Sequence, residues 1–311
     1  MNSVTIEHIV KKYGAKKEQV TALNDISFEV AKGELFGVIG PDGAGKTSLF
    51  RILTTLLLAD SGTAMVDGFD VVKQYKNIRN RVGYMPGKFS LYQDLSVEEN
   101  LRFFATIFNS SIKENYELIR DIYVQIEPFK DRRAGKLSGG MKQKLALCCA
   151  LIHRPSVLFL DEPTTGVDAV SRKEFWEMLK ALKLQGISIL VSTPYMDEAG
   201  LCDRVALIQS GKIMSIDSPK NITQKFTKTM WAVSSAEMYR LLNDLQQYNN
   251  TEKCYAFGEF HHLVLKNDNE GKDEIMIYLL YLSHHEIELK TVQPNIEDCF
   301  IELMSKSNHQ Q

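Results

Sequence analysis

The sequence lacks an apolar run long enough to cross a bilayer. The longest such run in its C-terminal part, IMIYLLYL at residues 275–282, is far shorter than the roughly 20 residues that a membrane-spanning helix needs. We interpret it as one face of a core helix. The N-terminal stretch MNSVTIEHIVKKYG contains no apolar h-region, so we expect no signal peptide. These absences predict that the chain forms no membrane pore of its own.

The sequence also has no excess of positive charge. Its 37 Lys and Arg residues are balanced by 39 Asp and Glu residues, which gives a net charge of −2 and a pI near 6.4. Proteins that bind nucleic acid use basic surfaces to neutralise phosphates. We therefore expect no nucleic-acid partner.

Cysteine and histidine are sparse, and neither shows the spacing of metal ligands. The five cysteines, two of them adjacent at Cys148 and Cys149, predict small core residues in a reducing compartment. The histidines that occur in pairs are His261, His262, His284 and His285. They lie beside predicted element ends, so we expect them at the surface.

What the sequence does contain is a glycine-rich loop, GPDGAGKT at residues 40–47, between an apolar stretch at residues 35–39 and a helix-compatible stretch at residues 48–58. Glycines let successive N–H groups turn toward a polyphosphate, and the positive end of the helix favours negative charge. An ordinary glycine turn is the alternative, but the strand before and the helix after favour the phosphate site. The predicted nucleoside triphosphate site consists of Gly40, Pro41, Asp42, Gly43, Ala44, Gly45, Lys46, Thr47 and Ser48.

Two carboxylates end the stretch VLFLDE at residues 157–162, whose apolar part is typical of a strand buried on both faces of a parallel sheet. Neighbouring residues in a strand point in opposite directions, so the two have different roles. Asp161, with the Thr47 hydroxyl, is the predicted Mg²⁺ ligand. Glu162 is the predicted general base, which polarises the water that attacks the γ-phosphate, while Lys46 reaches the β- and γ-phosphates.

A third motif, LSGGM at residues 137–141, precedes the helix-like segment MKQKLALCCALIH. Ser138, Gly139 and Gly140 then lie at a helix start, which is a second anion-binding position. One chain needs one phosphate cradle. The second helix start therefore predicts a site that caps a nucleotide held by another subunit.

These motifs, with the following TTGVD and the tyrosine of KKYG, resemble the ATPase subunit of an ABC (ATP-binding cassette) transporter over about residues 1–220. The resemblance implies ATP and Mg²⁺ as ligands and Tyr13 stacked on adenine. It also implies a head-to-tail dimer in which Ser138 and Gly140 complete the nucleotide site of the other subunit. Asp168 then contacts that other subunit. Taken alone, Tyr13 would be an exposed loop aromatic and Asp168 a helix N-cap.

The resemblance further implies two kinds of partner. One is a transmembrane permease subunit, and the other is a second ABC ATPase subunit, identical or different. The chain is then expected to work as a peripheral subunit at the cytoplasmic face of the plasma (inner) membrane. The pattern of the ending PNIEDCFIELM resembles subunits of drug- and lipid-type exporters, which indicates multidrug-type export.

The chain departs from the family pattern at two positions. Gly87 stands after RVGYMP where the family usually has a glutamine that contacts Mg²⁺ and water, and Pro194 stands after ISILVST where it has a histidine that contacts the γ-phosphate. Neither residue has a side chain that can do this work. Lys88, Gln93 and Tyr195 are the nearest alternatives. We hypothesise a heterodimer whose other cassette retains both groups, with a slow homodimer as the alternative.

The predicted fold class is α/β, a P-loop NTPase ABC cassette plus a small α+β C-terminal domain. Residues 1–220 form the cassette, with a parallel sheet core, an antiparallel β subdomain with predicted turns at residues 13–17, 24–25 and 32–33, and a helical subdomain over about residues 90–145. In the family the helical insertion carries the docking surface for the membrane subunit. Residues 225–311 read as a split βαββαβ unit, a ferredoxin-like domain of open function.

Three function classes fit the sequence. The first is an ATPase that powers transport by closing on two ATP molecules and opening after hydrolysis. The second is a non-transport ABC ATPase that acts on ribosomes or DNA, which the missing basic surface disfavours. The third is a degenerate cassette that uses ATP as a clamp with little turnover, which Gly87 and Pro194 keep open.

Overall fold

The computed structural model describes residues 2–15, 19–267 and 271–308. The chain divides into two compact units. Of the described residues, unit 1 contains those up to Pro219 and those from Leu303, and unit 2 contains those from 220 to 302.

The elements follow one another along the chain as strands and helices that are numbered here in order. The strands up to residue 217 are β1 (Asn2–Tyr13), β2 (Val20–Ala31), β3 (Leu35–Ile39), β4 (Ser61–Val66), β5 (Phe69–Asp70), β6 (Val82–Met85), β7 (Val157–Asp161), β8 (Ser188–Thr193), β9 (Arg204–Gln209) and β10 (Lys212–Asp217). The helices of this part are α1 (Lys46–Leu53), α2 (Tyr75–Arg79), α3 (Val97–Ile107), α4 (Tyr116–Tyr123), α5 (Gly139–Leu151) and α6 (Ala169–Leu184). Short 3-10 helices lie at Glu127–Phe129, Ala134–Lys136 and Met196–Leu201. The remaining elements are α7 (Pro219–Gln224), β11 (Met230–Ser234), α8 (Met238–Gln247), β12 (Thr251–Phe257), β13 (Phe260–Leu265), α9 (Lys272–Tyr281), β14 (Glu288–Val292) and α10 (Ile296–Asn308).

The core of unit 1 is a sheet with strand order β10-β9-β3-β8-β7-β6, in which every pair except β10-β9 is parallel. Every residue of β3, β7 and β8 is buried, as expected for strands covered on both faces. Helix α1 packs on this sheet, where Phe50 meets Phe159 edge-on with ring centroids 5.7 Å apart. The carboxyl ends of the parallel strands share one edge of the sheet, and the loops at that edge carry the predicted site.

A second, antiparallel sheet with strand order β2-β1-β4-β5 contains the first strands of the chain. The predicted turn at residues 32–33 is confirmed, but the one at residues 24–25 is wrong, because β2 continues through them. Asp25 has a left-handed φ of 60° and lies at a register shift in the pairing of β1 with β2. The polar residues Asn24 and Asp25 therefore mark a β-bulge. Residues 16 and 17 of the remaining predicted turn lie outside the described residues.

The helical insertion of unit 1 begins with α3. Ser96 caps this helix by accepting from the N–H of Glu99, and the Glu99 carboxylate accepts from the N–H of Ser96. The capping box predicted from the sequence is therefore confirmed. Helix α5 begins with Ser138 as its N-cap, and α6 begins with Asp168 as its N-cap.

Unit 2 has the element order βαββαβ from β11 to β14, and its sheet has the strand order β12-β13-β11-β14 with antiparallel pairs. This is the arrangement of a ferredoxin-like split βαβ unit. Residues 275–281 of the apolar run lie in α9 and Leu282 is its C-cap; Ile275 and Leu279 are buried in the core of this unit. The other face of the helix exposes Ile277, Leu280 and Tyr281.

The prediction that the paired histidines lie at the surface is wrong for all but His285. His261, His262 and His284 are at most 6% exposed. The prediction failed because β13 begins at Phe260, so the first pair lies inside a central strand. Each buried ring also has a hydrogen-bond partner, although among the described residues the Nδ1 atom of His261 has none.

These partners differ between the buried histidines. The His262 Nδ1 atom lies 2.7 Å from Asp298 Oδ1, and the Tyr255 hydroxyl donates to the same oxygen at 2.8 Å. Burial, followed by this hydrogen bond, raises the pKa of Tyr255. The His284 Nε2 atom lies 2.8 Å from Asp244 Oδ2. The histidines are therefore structural parts of unit 2.

The cysteines behave as the sequence predicts. All five are buried free thiols, namely Cys148, Cys149, Cys202, Cys254 and Cys299. Burial raises the pKa of each thiol, to about 12 for Cys254 and Cys299. These thiols are small core residues.

Candidate nucleotide site

The glycine-rich loop at residues 40–47 connects β3 to α1, and two of its glycines are needed by the surrounding backbone. A Cβ on Gly40 would lie 2.1 Å from the Ile208 carbonyl oxygen. Gly45 has a φ of 105°, and a Cβ there would lie 2.3 Å from the Ala22 carbonyl oxygen. The loop therefore keeps this path only with glycine at both positions.

The start of α1 offers N–H groups to an anion. Helix α1 begins at Lys46, and its N-cap Gly45 has no side chain to accept from them. The N–H groups of a first helical turn have no acceptor inside the helix, and the helix dipole makes this end positive. A phosphate group fits such a position.

Lys46 lies at the centre of the loop. Its Nζ atom donates to the carbonyl oxygens of Gly40 at 2.7 Å and Pro41 at 3.0 Å. It also lies 3.2 Å from Glu162 Oε1, although only 3% of the Lys46 side chain is exposed. The buried positive charge is thus held between the loop and the predicted general base.

Asp161 contacts Thr47, the last residue of the loop, which directly follows Lys46. Its Oδ1 atom accepts from the Thr47 hydroxyl at 3.2 Å and from the Ser192 hydroxyl at 2.6 Å, and the residue is 2% exposed. A carboxylate facing a hydroxyl beside a phosphate loop matches the oxygen donors that Mg²⁺ prefers. The residues present therefore fit the predicted metal ion.

Glu162 lies just beyond the end of β7 and has a left-handed φ of 50°. This conformation is uncommon for a residue with a side chain, and such residues cluster at functional sites. Its N–H donates to the carbonyl oxygen of Ser192 at 3.0 Å and to the Ser192 hydroxyl at 3.1 Å. Because the chain leaves the strand here, Glu162 and Asp161 both contact the loop, the former at Lys46 and the latter at Thr47.

Tyr13 lies beside the start of α1. Its hydroxyl is 3.0 Å from the Ser48 hydroxyl, and 41% of the residue is exposed. The end of β1 therefore brings an accessible aromatic ring next to the phosphate loop. A flat aromatic face of this kind can stack on a nucleotide base.

The two positions that depart from the family pattern flank the carboxylates. A Cβ on Gly87 would lie 3.1 Å from the Asp161 carbonyl oxygen, and Pro194 directly follows β8. Of the alternative residues, Tyr195 lies under the Arg172 guanidinium at 4.4 Å, and the Gln93 carbonyl accepts from Gly135. Lys88 is exposed on the loop after β6.

The loop that carries Pro194 is held to α6 by a polar network. Glu198, which is 2% exposed, accepts from the Thr193 hydroxyl at 2.5 Å and from Arg172 Nε at 3.2 Å. Arg172 also donates to Asp197 at 3.1 Å and covers the ring of Tyr195. The guanidinium thus neutralises a buried carboxylate next to the site.

Removing this guanidinium is expected to destabilise unit 1. Arg172→Ala leaves the buried Glu198 carboxylate without its cation, which costs about 2 kcal/mol of unfolding free energy. The measurement is urea unfolding followed by the fluorescence of the buried Trp176. A Trp231→Phe background makes Trp176 the sole tryptophan, because the chain has two.

The matched control is Arg102→Ala. Arg102 pairs with Glu98 at 3.2 Å on an exposed face of α3, and such a pair contributes about 0.3–0.5 kcal/mol. Equal destabilisation by the two variants would contradict the role assigned to Arg172.

The LSGGM motif starts α5 but does not join the loop at residues 40–47. The Ser138 hydroxyl accepts from the N–H of Met141 at 3.3 Å, and a Cβ on Gly140 would lie 2.7 Å from the Ser171 hydroxyl. Ser138 and Gly139 are exposed. Among the described residues, no hydrogen bond connects this helix start to the phosphate loop. It therefore presents its N–H groups at the surface of the chain.

Asp168 also lies at the surface. Its carboxylate accepts from the N–H groups of Val170 at 3.1 Å and Ser171 at 3.0 Å. The hydrogen bond from Ser171 is the main cause that lowers the pKa of Asp168. The N-cap predicted from the sequence is confirmed.

A cavity of about 530 Å³ lies next to the site within unit 1. Its wall is formed by helices α3 and α5 and by the two loops that follow β6 and β7. Aromatic and aliphatic side chains such as Phe89, Phe104 and Ile107 line it, and Gly87 and Glu162 lie at its wall. The cavity therefore reaches the candidate catalytic residues.

The sequence interpretation missed Ser192 and Arg172. Ser192 is a polar residue that directly follows the buried apolar residues Ile189, Leu190 and Val191, and its register with Asp161 in the β7-β8 pair is the signal that identifies it. Arg172 lies one helical turn after Asp168 and carried no motif signal. Its partner Glu198 becomes recognisable only once the loop after β8 is folded against α6.

No helix among the described residues combines the length and the apolar character needed to span a bilayer.

Comparison with known proteins finds relatives that are named as ABC transporter proteins. The sequence profile of the family described as "ABC transporter" matches residues 23–165. The "Probable multidrug ABC transporter ATP-binding protein YbhF" of Escherichia coli is 36% identical over 310 residues, which make up 97% of this chain and 52% of the relative. The "ABC transporter ATP-binding protein NatA" of Bacillus subtilis is 37% identical over 215 residues, which make up 68% of this chain and 87% of the relative. The chain spans about half the length of YbhF.

The fold has solved counterparts. The dimeric structure of the ATP-binding cassette MJ0796 bound to ADP and Pi has a TM-score of 0.63 and 22% identity. The match covers 69% of this chain and 98% of that one. This likeness shows that the fold is that of an ATP-binding cassette. With the identity to NatA over most of its length, it establishes that the chain belongs to the ABC transporter family, among its ATP-binding proteins.

Proposed function

We propose that this chain binds Mg²⁺·ATP at residues 40–48 and hydrolyses it, and that unit 1 is the ATP-binding domain. One observation carries the proposal. The loop places Lys46 3.2 Å from Glu162 and Thr47 3.2 Å from Asp161, so a cation for phosphates, a base and a metal-binding pair converge at one helix start. This combination is what phosphoryl transfer to water requires.

Each residue then has a physical role. Lys46 and the N–H groups of α1 attract the β- and γ-phosphates, and the exposed ring of Tyr13 stacks on adenine. Thr47 and Asp161 hold Mg²⁺, which when bound neutralises charge on the phosphates. Glu162 accepts the proton of the attacking water on its carboxylate.

We further propose that the chain acts in a head-to-tail pair with a second cassette. The start of α5 at Ser138, Gly139 and Gly140, of which the first two residues are exposed, is separate from this chain's own loop, so its anion-binding N–H groups serve a nucleotide held by the other cassette. Asp168, exposed at the start of α6, lies at the same contact. The other cassette is either a different subunit or a second copy.

The proposed second partner is a transmembrane permease. The cavity of about 530 Å³ presents apolar side chains of the helical insertion and reaches Gly87 and Glu162, so a segment seated in it would sense the state of the nucleotide site. This chain then works as a peripheral subunit at the cytoplasmic face of the plasma (inner) membrane. Because YbhF is named a probable multidrug transporter protein, we propose multidrug-type export.

A second candidate function is an ATP-dependent clamp with little turnover. Gly87 and Pro194 favour it, because they supply no donor to the γ-phosphate or the attacking water. In a pair with a complete second cassette, only the site on this chain's own loop would be weakened. One site would then hydrolyse ATP and the other would mainly bind it.

Introducing the family's glutamine at position 87 and its histidine at position 194 tests whether the chain is an active ATPase or a clamp with little turnover. We expect Gly87→Gln with Pro194→His to raise steady-state phosphate release by the purified chain about tenfold, part of the roughly 10²-fold that one such group contributes. The affinity for ATP should change little, since Lys46 and the loop are intact. A Cβ on Gly87 would lie 3.1 Å from the Asp161 carbonyl oxygen, so the added side chain requires the neighbouring backbone to move by a few tenths of an ångström.

The control is Gly87→Ala with Pro194→Ala, which restores the same backbone N–H at position 194 without adding side-chain donors. A rate that rises equally in both double variants would show that the added side chains are not responsible. If Gly87→Gln with Pro194→His releases phosphate no faster than wild type, this would contradict a clamp that is weakened at these positions.

A further inference from the structure

We propose that Ser192 is a positioning residue of the nucleotide site, whose hydroxyl orients the Asp161 carboxylate for Mg²⁺ and anchors the backbone of Glu162. The inference rests on the proposed function of this site. It assigns a role to a residue that belongs to none of the sequence motifs.

The position of Ser192 follows from the sheet. Strands β7 and β8 pair in parallel, and Asp161 lies opposite Ser192 in the last pair of the ladder. The residues of β8 before it in the ladder, Ile189, Leu190 and Val191, are fully buried and apolar. Ser192 is itself 0% exposed, so its hydroxyl must find partners within the protein.

The hydrogen bonds of Ser192 have a defined direction. The Glu162 N–H can only donate, so the Ser192 oxygen accepts from it at 3.1 Å. The single hydroxyl proton is then donated to Asp161 Oδ1 at 2.6 Å. This distance is in the short range of hydrogen bonds to ionised acceptors. One hydroxyl therefore links the backbone of the predicted base to the predicted metal ligand.

The consequence for Asp161 is a fixed orientation. Its Oδ1 atom accepts from both Ser192 and Thr47, so the plane of the carboxylate is set by two hydroxyls. Groups that orient a ligating carboxylate typically change metal affinity about 10- to 100-fold when they are removed. Loss of the Ser192 hydroxyl should therefore be seen first in the Mg²⁺ requirement of nucleotide binding.

The consequence for Glu162 is smaller. Its N–H also donates to the Ser192 carbonyl oxygen at 3.0 Å, and that bond remains whatever the side chain at position 192. The left-handed backbone of Glu162 is thus retained in a Ser192 variant. The effect of the hydroxyl on Asp161 can therefore be measured without loss of the loop.

The neighbouring hydroxyl cannot replace that of Ser192. Thr193 Oγ1 donates to Glu198 at 2.5 Å and accepts from the N–H of Tyr195 at 3.1 Å. Its single proton is therefore used in the network of the loop after β8.

Strand β8 also supplies a matched control. Ser188 is 2% exposed, and its hydroxyl accepts from the N–H of Gly33 at 2.9 Å. It lies at the opposite end of the same strand, where Val157 is its partner in the ladder. Ser188→Ala therefore removes a buried hydroxyl of β8 without touching the site.

The experiment titrates a fluorescent ATP analogue into the full chain at a series of Mg²⁺ concentrations and in EDTA. For Ser192→Ala we expect affinity in EDTA within about threefold of wild type and a half-saturating Mg²⁺ concentration at least about tenfold higher. Ser192→Thr, which keeps the hydroxyl, should restore the wild-type Mg²⁺ requirement. Ser188→Ala should leave it unchanged. Thermal unfolding of each variant checks that it is folded.

The outcomes separate the inference from the function on which it rests. Equal Mg²⁺ requirements of Ser192→Ala and wild type, or an equal shift in Ser188→Ala, would overturn the role of Ser192 alone. Failure of the wild-type chain to bind the analogue at any Mg²⁺ concentration would instead overturn the proposed function.

Discussion

Glu162→Gln is expected to lower the rate of ATP hydrolysis by about 10²- to 10⁴-fold, the usual contribution of a general base. The amide has the shape of the carboxylate and still offers an oxygen to Lys46 Nζ, which lies 3.2 Å from Glu162 Oε1. It cannot accept the proton of the attacking water. Binding of ATP should therefore persist while phosphate release stops, and the nucleotide-bound pair of cassettes should accumulate.

The measurement is phosphate release at saturating Mg²⁺·ATP, with ATP retention checked by filtration. Glu174→Gln is the control, because Glu174 forms an exposed pair with Lys144 at 2.8 Å in the same unit. Turnover that survives in Glu162→Gln would remove Glu162 from the catalytic role.

Lys46→Ala is expected to weaken the binding of Mg²⁺·ATP by about 10- to 150-fold. Hydrogen bonds to charged groups contribute about 1.5–3 kcal/mol, and each 1.4 kcal/mol is about tenfold in affinity. In this chain the substitution also removes the bonds from Nζ to the carbonyl oxygens of Gly40 and Pro41, so the loop loses its central tie. The measurement is equilibrium binding of ATP.

Lys180→Ala serves as the control for loss of one positive charge. Lys180 has a side chain that is 44% exposed and pairs with Glu177 at 2.9 Å on α6, so its removal should not change ATP affinity. An affinity that is the same in Lys46→Ala and in wild type would contradict a phosphate site at this loop.

The phosphate loop could be predicted because its chemistry is local. Spacing of glycines, a strand before and a helix after are all properties of one short stretch. The structure has β3 at the predicted place, and α1 begins at Lys46 but ends at Leu53, five residues before the end of the predicted stretch. The sequence could not show why Gly40 must be glycine. Its contact with the Ile208 carbonyl exists only because β9 pairs with β3.

The parts of the site that sequence reasoning missed depend on contacts between distant segments. Ser192 acquires its role from the pairing of β7 with β8, and Arg172 from the packing of α6 against the loop after β8. The contact between Lys46 and Glu162 likewise joins residues that are far apart in the sequence. Motif spacing carries no information on such pairs.

In unit 2 the periodicity of the sequence predicted the order βαββαβ, which the structure has. The burial of His262 and His284 was not predictable in the same way. Their rings are accommodated because Asp298 and Asp244, from other elements, accept their hydrogen bonds. The residue type alone favoured the surface, and tertiary partners reversed that preference.

The central claim is that residues 40–48 hold Mg²⁺·ATP and that Glu162 acts only after binding. Calorimetric titration of Mg²⁺·ATP into wild type, Glu162→Gln and Lys46→Ala tests it most directly. The account predicts one ATP per chain with similar affinity in wild type and Glu162→Gln, and binding at least about tenfold weaker in Lys46→Ala. No heat of binding in wild type, or equal affinity in all three proteins, would contradict it.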